Sequence, residues 1–558
     1  MHRKFGVMAE PIRIIPLGGL GEVGKNMMVV EQGNDIVVID AGLMFPKEDM
    51  HGIDLVLPDF TYLKEHKEKV RAVLITHGHE DHVGALPFLL RELNVPVYAP
   101  PLARDLVDVK LRENTGVGKY ELHEVQPGES IELGAITAEF FRVAHSIPDA
   151  CGIVLHTGAG VVVHSGDFKI DHTPVDGHPT ELNRLAELGQ DGVLLLLSDS
   201  TYAENPGYTP SEMIVSDALD ISIGRADGRV LVATFASLIS RVQQIADAAV
   251  KHDRKIAFAG RSMINNVNMA LAKGYLNIPA GTIVSVDELG GLPPERQVIV
   301  LTGAQGEPLA VLARVARRHS RDIQIQDGDT VILSASIIPG NETKVSGVIN
   351  DLTRQGAKVI TRRQANVHVP GHASQEELKL MLNLIKPKYF VPVHGEYRML
   401  SAHAALAELM GVEHDNIKVL EDGDVLEISD DGAERAGRVP AGHIFVDGLR
   451  LWDVGSAVMR DRRHLARDGF VVVALTLGET SGELVGEAEI ASSGFIDMAE
   501  SEELVDDAID VVGDALRSSN RFPLQEDYIN GRVREALGSF LFKQTGRRPM
   551  IVTLLLDM

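Results

Sequence analysis

The chain has 558 residues, 44% of them hydrophobic, with a single cysteine and a formal charge of −25. That length exceeds what one hydrophobic core organises, so three or four domains are expected, and no apolar run approaches the roughly 18 residues of a membrane span. Cys151 alone cannot form an intrachain disulfide, and Met1-His2-Arg3-Lys4 leads into no signal-like apolar stretch, so a reducing cytoplasm is the expected home. The negative charge would ordinarily disfavour a polyanionic partner. Bound cations or a local basic segment can reverse the sign inside a cleft, so charge alone does not decide the partner.

Ile12 to Ile15, Met27 to Val30 and Ile36 to Ile39 read as strands. Between the first two lies Gly19-Leu20-Gly21-Glu22-Val23-Gly24, a literal GxGxxG. A dinucleotide fingerprint needs a helix to open at that loop, whereas Lys25-Asn26 leads into another β-type run, so a hairpin with tight turns is predicted. Asp40 ends the third strand, where it can hold a ligand histidine by its second nitrogen. Next comes an apolar run, Arg71-Ala72-Val73-Leu74-Ile75, then Thr76-His77-Gly78-His79-Glu80-Asp81-His82 and a helix over Ala85 to Arg91. Alternation along the strand end places His77 and His79 on one side, and the turn swings Asp81 and His82 to the other. Two such sets of nitrogen and oxygen ligands suit a pair of divalent cations; the bland alternative is a His-rich polar loop.

Strands are expected over residues 95–100 and 131–144, the second ending at His145, then at Gly152 to His156 and Val161 to Val163, with Asp167 just beyond. His145 and Asp167 follow strand ends as His77 does, which brings all three to one rim of a sheet sandwich. His164 reads as structural, and His156, His172 and His178 as solvated. A buried strand, Val193 to Leu197, leads to Ser198-Asp199-Ser200-Thr201. From about 206 to 365 the pattern repeats strand, polar loop and helix, with helices over 239–250, 307–318 and 343–355. This describes an open parallel α/β unit with Ser237, Ser262, Gln305 and Ser336 in its loops. His368-Val369-Pro370-Gly371-His372-Ala373-Ser374 then precedes an amphipathic helix whose first-turn N–H groups could face an anion. The strand Tyr389 to Val393 ends in His394-Gly395-Glu396, and His394 supplies the ligand that Asp81 and His82 lacked. After an Asp/Gly/Arg-rich connector, strands over 470–477, 484–492 and 550–556 and helices over 502–517 and 528–542 make a small module without a catalytic cluster.

Asp40, His77-x-His79-x-Asp81-His82, His145, Asp167 and a late histidine resemble the metallo-β-lactamase superfamily. With the inserted α/β unit, Asp199, His372 and His394 fall on the additional motifs of the β-CASP nucleases. The whole layout, including Thr302-Gly303-Ala304-Gln305-Gly306-Glu307, resembles the bacterial ribonuclease J family over essentially the entire chain. The resemblance implies an α/β fold class: a metallo-β-lactamase αββα sandwich (residues 1–205 and 366–435), an inserted parallel β-CASP domain (206–365), a linker (436–455) and a small α/β C-terminal domain (456–558). It implies a cytoplasmic 5′→3′ exoribonuclease with endonuclease activity on single-stranded RNA, acting in mRNA decay and rRNA maturation, with no membrane partner. Homodimers or homotetramers, with dimerisation through the C-terminal module, and RNA-decay assemblies are implied too.

One ion, Zn²⁺ or Mn²⁺, is expected on His77, His79 and His145, and a second on Asp81, His82 and His394, with Asp167 bridging. A hydroxide between them would attack phosphorus in line. His372, grouped with Asp81 and Asp199 as catalytic, would touch a non-bridging oxygen or protonate the leaving 3′ oxygen; Glu80 is the weaker base because it is expected to point away. Phe235-Ala236-Ser237 and His368-Val369-Pro370-Gly371-His372 would receive the terminal nucleotide and its 5′ monophosphate. For Arg314, Arg317, Arg318, Arg321 and the Arg460–Arg467 run, a solvated helix face outweighs phosphate contact. Three alternatives stand. A small-ester hydrolase of the superfamily has no use for the insertion or His372, a non-catalytic RNA-binding scaffold has no use for a complete ligand set, and a DNA-directed β-CASP nuclease differs only in 2′-hydroxyl contacts.

Overall fold

The computed structural model describes residues 10–557 apart from 48, 115, 306–309, 338–340, 449, 452–455, 479–483 and 518–525. The chain forms two compact units, Met1–Phe45 with Leu55–Ile444, and Pro46–Asp54 with Phe445–Met558.

In the first unit, β-branched and apolar runs pair as the pattern predicts. Ile12–Gly18 lies antiparallel to Met27–Gln32, with Ile14 opposite Val30. The glycine-rich loop is therefore a hairpin connection, not a phosphate loop. An eight-stranded sheet contains these strands together with Asp35–Ile39 and Val70–Leu74, which run parallel to each other. A six-stranded sheet is ordered Tyr389–Val393, Leu195–Asp199, Gly160–His164, Cys151–Thr157, Ile136–Arg142, Ser130–Leu133. Ile14, Val37 and Leu74 from the first sheet share one core with Phe140, Ile153, Leu197 and Val391 from the second. Each such buried side chain stabilises the sandwich by about 1.5–3 kcal/mol relative to exposure. The helices Leu182–Asp191 and Gln375–Ile385 cover the second sheet's outer face through Leu185, Leu188, Leu378 and Met381.

Strand direction gathers the ligands. Gly160–His164, Leu195–Asp199 and Tyr389–Val393 are parallel neighbours, so Asp167, Asp199 and His394 emerge at one end of one sheet. Asp40 and His77 follow the parallel pair in the other sheet. Leaving the sandwich after Asp199, the chain builds a five-stranded, wholly parallel sheet ordered Lys255–Ala259, Gln297–Leu301, Val230–Ala233, Thr330–Leu333, Lys358–Ile360. Its central strands are buried on both faces, which is why they read as unbroken apolar runs.

Some boundaries differ from the sequence reading. The helix expected over 307–318 is Val311–Ala316, and residues 306–309, which include Gly306 and Glu307, lie outside the described residues. The segment read as a linker holds strands His443–Asp447 and Arg450–Leu451, and the strand that runs into it, Gly432–Arg438, exposes five of its seven residues, so no apolar alternation marks it. The helices Pro101–Glu113, Met213–Gly224, Arg261–Lys273 and Tyr397–Leu409 were not singled out from the sequence.

In the second unit, Phe470–Leu477 pairs antiparallel with Glu489–Ser493, shorter than the 484–492 strand expected, and parallel with Met550–Asp557. Val471, Val473 and Leu475 pack under Val512, Leu516, Val533 and Leu537 of two helices. Val552, Leu554 and Leu556 stand exposed on the last strand. Among the described residues no helix is long and apolar enough to cross a membrane.

Candidate metal centre

His77 and His79 leave the end of Val70–Leu74, and a single helical turn, Glu80–Val83, then turns Asp81 and His82 away from them. His77 Nε2 lies 3.1 Å from His79 Nδ1, and His145 Nε2 lies 3.2 Å from the same atom. The tautomers follow from the partners. His145 Nδ1 donates to the Gly371 carbonyl at 2.7 Å. Thr76 Oγ1 gives its proton to Asp40 and so accepts from His77 Nδ1 at 3.0 Å. Both Nε2 atoms are therefore bare lone pairs aimed at one point. A proton on His79 Nδ1 is the most these three nitrogens can share, whereas a cation would engage all three lone pairs at once.

The second group is mixed. His82 Nδ1 donates to Asp40 Oδ2 at 2.7 Å, and its Nε2 is 3.2 Å from Asp167 Oδ2. His394 Nδ1 donates to Asp167 Oδ1 at 2.8 Å. Its Nε2 is buried with no hydrogen-bond partner, 3.5 Å from Asp81 Oδ2. Asp167 Oδ2 also faces His77 Nε2 at 3.7 Å and His145 Nε2 at 3.8 Å, which places this carboxylate between the two groups. His77, His79 and His145 form one set of converging ligand atoms, and Asp81, His82, Asp167 and His394 another. The donor set, imidazole and carboxylate with an orphaned buried nitrogen, fits divalent cations.

Electrostatics separate the two groups. Burial, reinforced by neighbouring imidazoles, holds His77 and His145 well below the ordinary imidazole value and His79 down at about 4. Burial acts the same way on His82 and His394, but there the carboxylates together outweigh it, Asp167 foremost, with Asp40 and Asp81 at His82 and Asp81 and Asp199 at His394, raising His82 strongly and His394 to about 10. Asp167 is in turn held far below the usual carboxylate range by His394 and His82, against the cost of burial.

Beside these groups, His372 Nδ1 donates to Asp199 Oδ2 at 2.8 Å. Burial opposes its protonation, yet the Asp199 carboxylate raises it above the ordinary value. Asp199 Oδ1 is engaged by the backbone N and hydroxyl of Thr201. The Tyr202 ring lies parallel to His372, centroids 5.9 Å apart.

The structure thus brings His77, His79, Asp81, His82, His145, Asp167, Asp199, His372 and His394 together, with refinements. Asp40 holds His82, and Glu80 turns away to Lys110 at 2.6 Å. His164 is buried, its Nδ1 accepting from Gly166 N. The amides at the start of Gln375–Ile385 are not free for an anion. Ser374 N donates to Glu377 Oε2, Gln375 N to the Asn205 carbonyl and Glu376 N to the Gly207 carbonyl. Val369 belongs to the core of the inserted sheet, so its side chain faces no ligand. Phe235, Ala236 and Ser237 are partly buried, and Asn266 Nδ2 donates to the Ala236 carbonyl at 3.0 Å.

Sequence reasoning missed the residues that brace the ligands. Asn26 donates to the Asp81 carbonyl from its backbone (3.0 Å) and its Nδ2 (3.1 Å). Gly42 passes so close that a Cβ there would sit 1.6 Å from the Asp81 carbonyl oxygen. His394 has a φ of 54°, held because Gly21 donates to, and Gly19 accepts from, the Gly395 backbone. Lys25-Asn26 after the glycine-rich loop was the only visible signal of this brace.

A sandwich with paired His/Asp groups at its strand ends defines a metallohydrolase of the metallo-β-lactamase class, and residues 20–181 match the model of the metallo-beta-lactamase superfamily. Residues 227–352 match the ribonuclease J beta-CASP domain, 356–419 the Zn-dependent metallo-hydrolase RNA specificity domain and 457–558 the ribonuclease J C-terminal domain. The chain belongs to the ribonuclease J family. It is 44% identical to Ribonuclease J 1 of Streptococcus pyogenes over 99% of both chains. It is 42% identical to Ribonuclease J2 of Bacillus subtilis (98% of this chain, 99% of the relative) and 43% identical to Ribonuclease J of Thermus thermophilus (98% and 96%). A solved protein of unknown function from Enterococcus faecalis V583 shares the fold over 75% of this chain and all of its own, with a TM-score of 0.53 at 15% identity.

Proposed function

We propose that this chain is a metal-dependent ribonuclease of the cytoplasm that cleaves single-stranded RNA, 5′→3′ from a monophosphorylated end and also internally, in mRNA decay and rRNA maturation. The observation that carries the reading is the Asp199–His372 pair standing beside two ligand groups, with Asp167 in the second of them facing the first. An ester hydrolase of the same class needs only the ligand groups.

His77, His79 and His145 would hold one divalent cation, Asp81, His82 and His394 a second, with Asp167 between them; Zn²⁺ and Mn²⁺ both suit this donor set. When bound, the cations supply Lewis acidity at the phosphoryl group and acidify water. Asp40 fixes the His82 ring so that Nε2 faces the site. His372, its Nδ1 tied to Asp199, presents Nε2 to the substrate and carries a proton for the leaving 3′ oxygen. Breaking the P–O3′ bond leaves the phosphate on the downstream fragment. Each cut thus regenerates the kind of end that the Phe235–Ser237 and His368–Gly371 loops would receive, the second through its backbone and His368.

The test compares 5′-monophosphorylated RNA with DNA of the same sequence, in added Zn²⁺ or Mn²⁺. RNA should be cut stepwise from the 5′ end and DNA hardly at all; equal cleavage of DNA would move the assignment to a DNA-directed nuclease.

Self-association through the C-terminal unit, as a homodimer or homotetramer and as a component of an RNA-decay assembly, is part of the same reading. The exposed Val552, Leu554 and Leu556 support it. A Leu554→Glu, Leu556→Glu double variant should give a smaller particle by light scattering, and an unchanged mass would refute that surface.

A further inference from the structure

Arg241 lies in the first turn of the helix Ile239–Lys251 and is only 2% exposed, yet every arm of its guanidinium is engaged. Nε donates to Gln244 Oε1 at 2.7 Å and Nη2 to Glu212 Oε2 at 2.8 Å. Nη1 reaches Ser334 Oγ, the Val367 carbonyl at 3.0 Å and His368 Nδ1 at 3.4 Å. Ser334 Oγ donates to the same Val367 carbonyl at 2.7 Å. A buried charge is tolerated only when paired and fully hydrogen-bonded, and Glu212 with four acceptors meets that condition.

The targets of these bonds matter more than their number. Val367 and His368 open the loop that ends in Gly371, whose carbonyl orients His145, and in His372. One helical position earlier, Ser240 Oγ donates to the Ser146 carbonyl at 3.3 Å, next to His145. The helix carrying Arg241 also follows directly from Phe235-Ala236-Ser237, with Leu238 N turned back onto the Phe235 carbonyl. Arg241 therefore joins the two loops assigned above to the RNA's 5′ end and ties them to the metal centre through Gly371.

We propose that Arg241 is a positioning residue that sets the spacing of these two loops and so determines the preference for a 5′ monophosphate. It touches neither the RNA nor a cation. It acts by fixing the Val367 carbonyl and the His368 ring, whose Nδ1 it occupies, so that His368 can face the pocket only through its other edge. This rests on the reading that the two loops receive the 5′ phosphate. Lysine cannot replace the arrangement, because one ammonium cannot serve Glu212, Gln244, Ser334 and Val367 together.

The experiment measures kcat/KM for one RNA bearing either a 5′ monophosphate or a 5′ hydroxyl, in wild type, Arg241→Lys and Ser334→Ala, with metal content and thermal unfolding recorded for each. The monophosphate-to-hydroxyl ratio should fall by a factor on the order of 10 to 100 in Arg241→Lys, since small displacements of a positioning element carry effects of that size. Ser334→Ala should shift the ratio in the same direction by less. Cleavage of the hydroxyl RNA should fall far less than that of the monophosphate RNA, and both variants should keep their metal. If Arg241→Lys does not fold, Ser334→Ala alone decides. Equal losses on both substrates, or an unchanged ratio in a folded variant, would overturn the assignment. A wild-type ratio near one would sink the pocket reading itself, and with it this proposal, before any variant is compared.

Discussion

Replacing His77 by alanine should empty the three-histidine group and abolish cleavage, with the fold intact. In the metal-free protein the His77 imidazole contributes a bare Nε2 crowded against His79, so its removal relieves a repulsion while costing some packing. The unfolding temperature without metal should stay near that of wild type, whereas the rise on adding metal should shrink sharply, because a ligand stabilises only what it binds. Losing several kcal/mol of charge stabilisation corresponds to a rate loss on the order of 10³ or more. Elemental analysis and a cleavage assay check this together. Full occupancy with normal cleavage would mean that His77 is not a ligand.

His372→Ala should behave in the opposite way, keeping its ions and losing turnover. On the proposed mechanism the pair with Asp199 leaves His372 Nε2 to protonate the substrate, and a donor that acts only in the transition state lowers kcat by a factor on the order of 10² to 10⁴ with little change in affinity. A rival role exists on geometric grounds, since Asp167, Asp199, His372 and His394 also offer ligand atoms within 4.8 Å of one another. Metal content discriminates the two. A variant that loses an ion would make His372 a ligand, and one that cuts at the wild-type rate would remove it from the mechanism.

The ligand groups were legible because four of the seven residues lie within six positions of one another and the others follow strands whose apolar runs are unmistakable. Strand-end logic brought His77, His145 and Asp167 to one rim, and the parallel pairing seen in the structure adds Asp199 and His394. The bracing was not legible. Glu377 is fully buried and accepts from Ile170 N, Thr209 N and Ser374 N, two of those partners more than 160 residues away. In the sequence it is simply the third residue of a helix. Arg241 reads equally well as a solvated helix charge, since nothing local announces that its partners other than Gln244 come from three other segments. The same blindness led to the expectation of an anion-binding helix start, because the carbonyls of Asn205 and Gly207 that occupy those amides belong to a distant turn.

The inserted sheet lies between Asp199 and His372 in the chain, so the hydrogen bond between these two residues spans 173 positions. None of the seven proposed ligands comes from the insert, although His394 follows it in the chain. Maturation of the site is thereby divided into two events of unequal entropic cost. The three-histidine group draws only on residues that precede the insert, while the second group, which needs His394, and the bond between acid and carboxylate both wait until the chain has returned from the intervening sheet. A newly made chain would carry the three-histidine group before it carried either the second group or the acid, and RNA in its vicinity would be spared until the insert is complete.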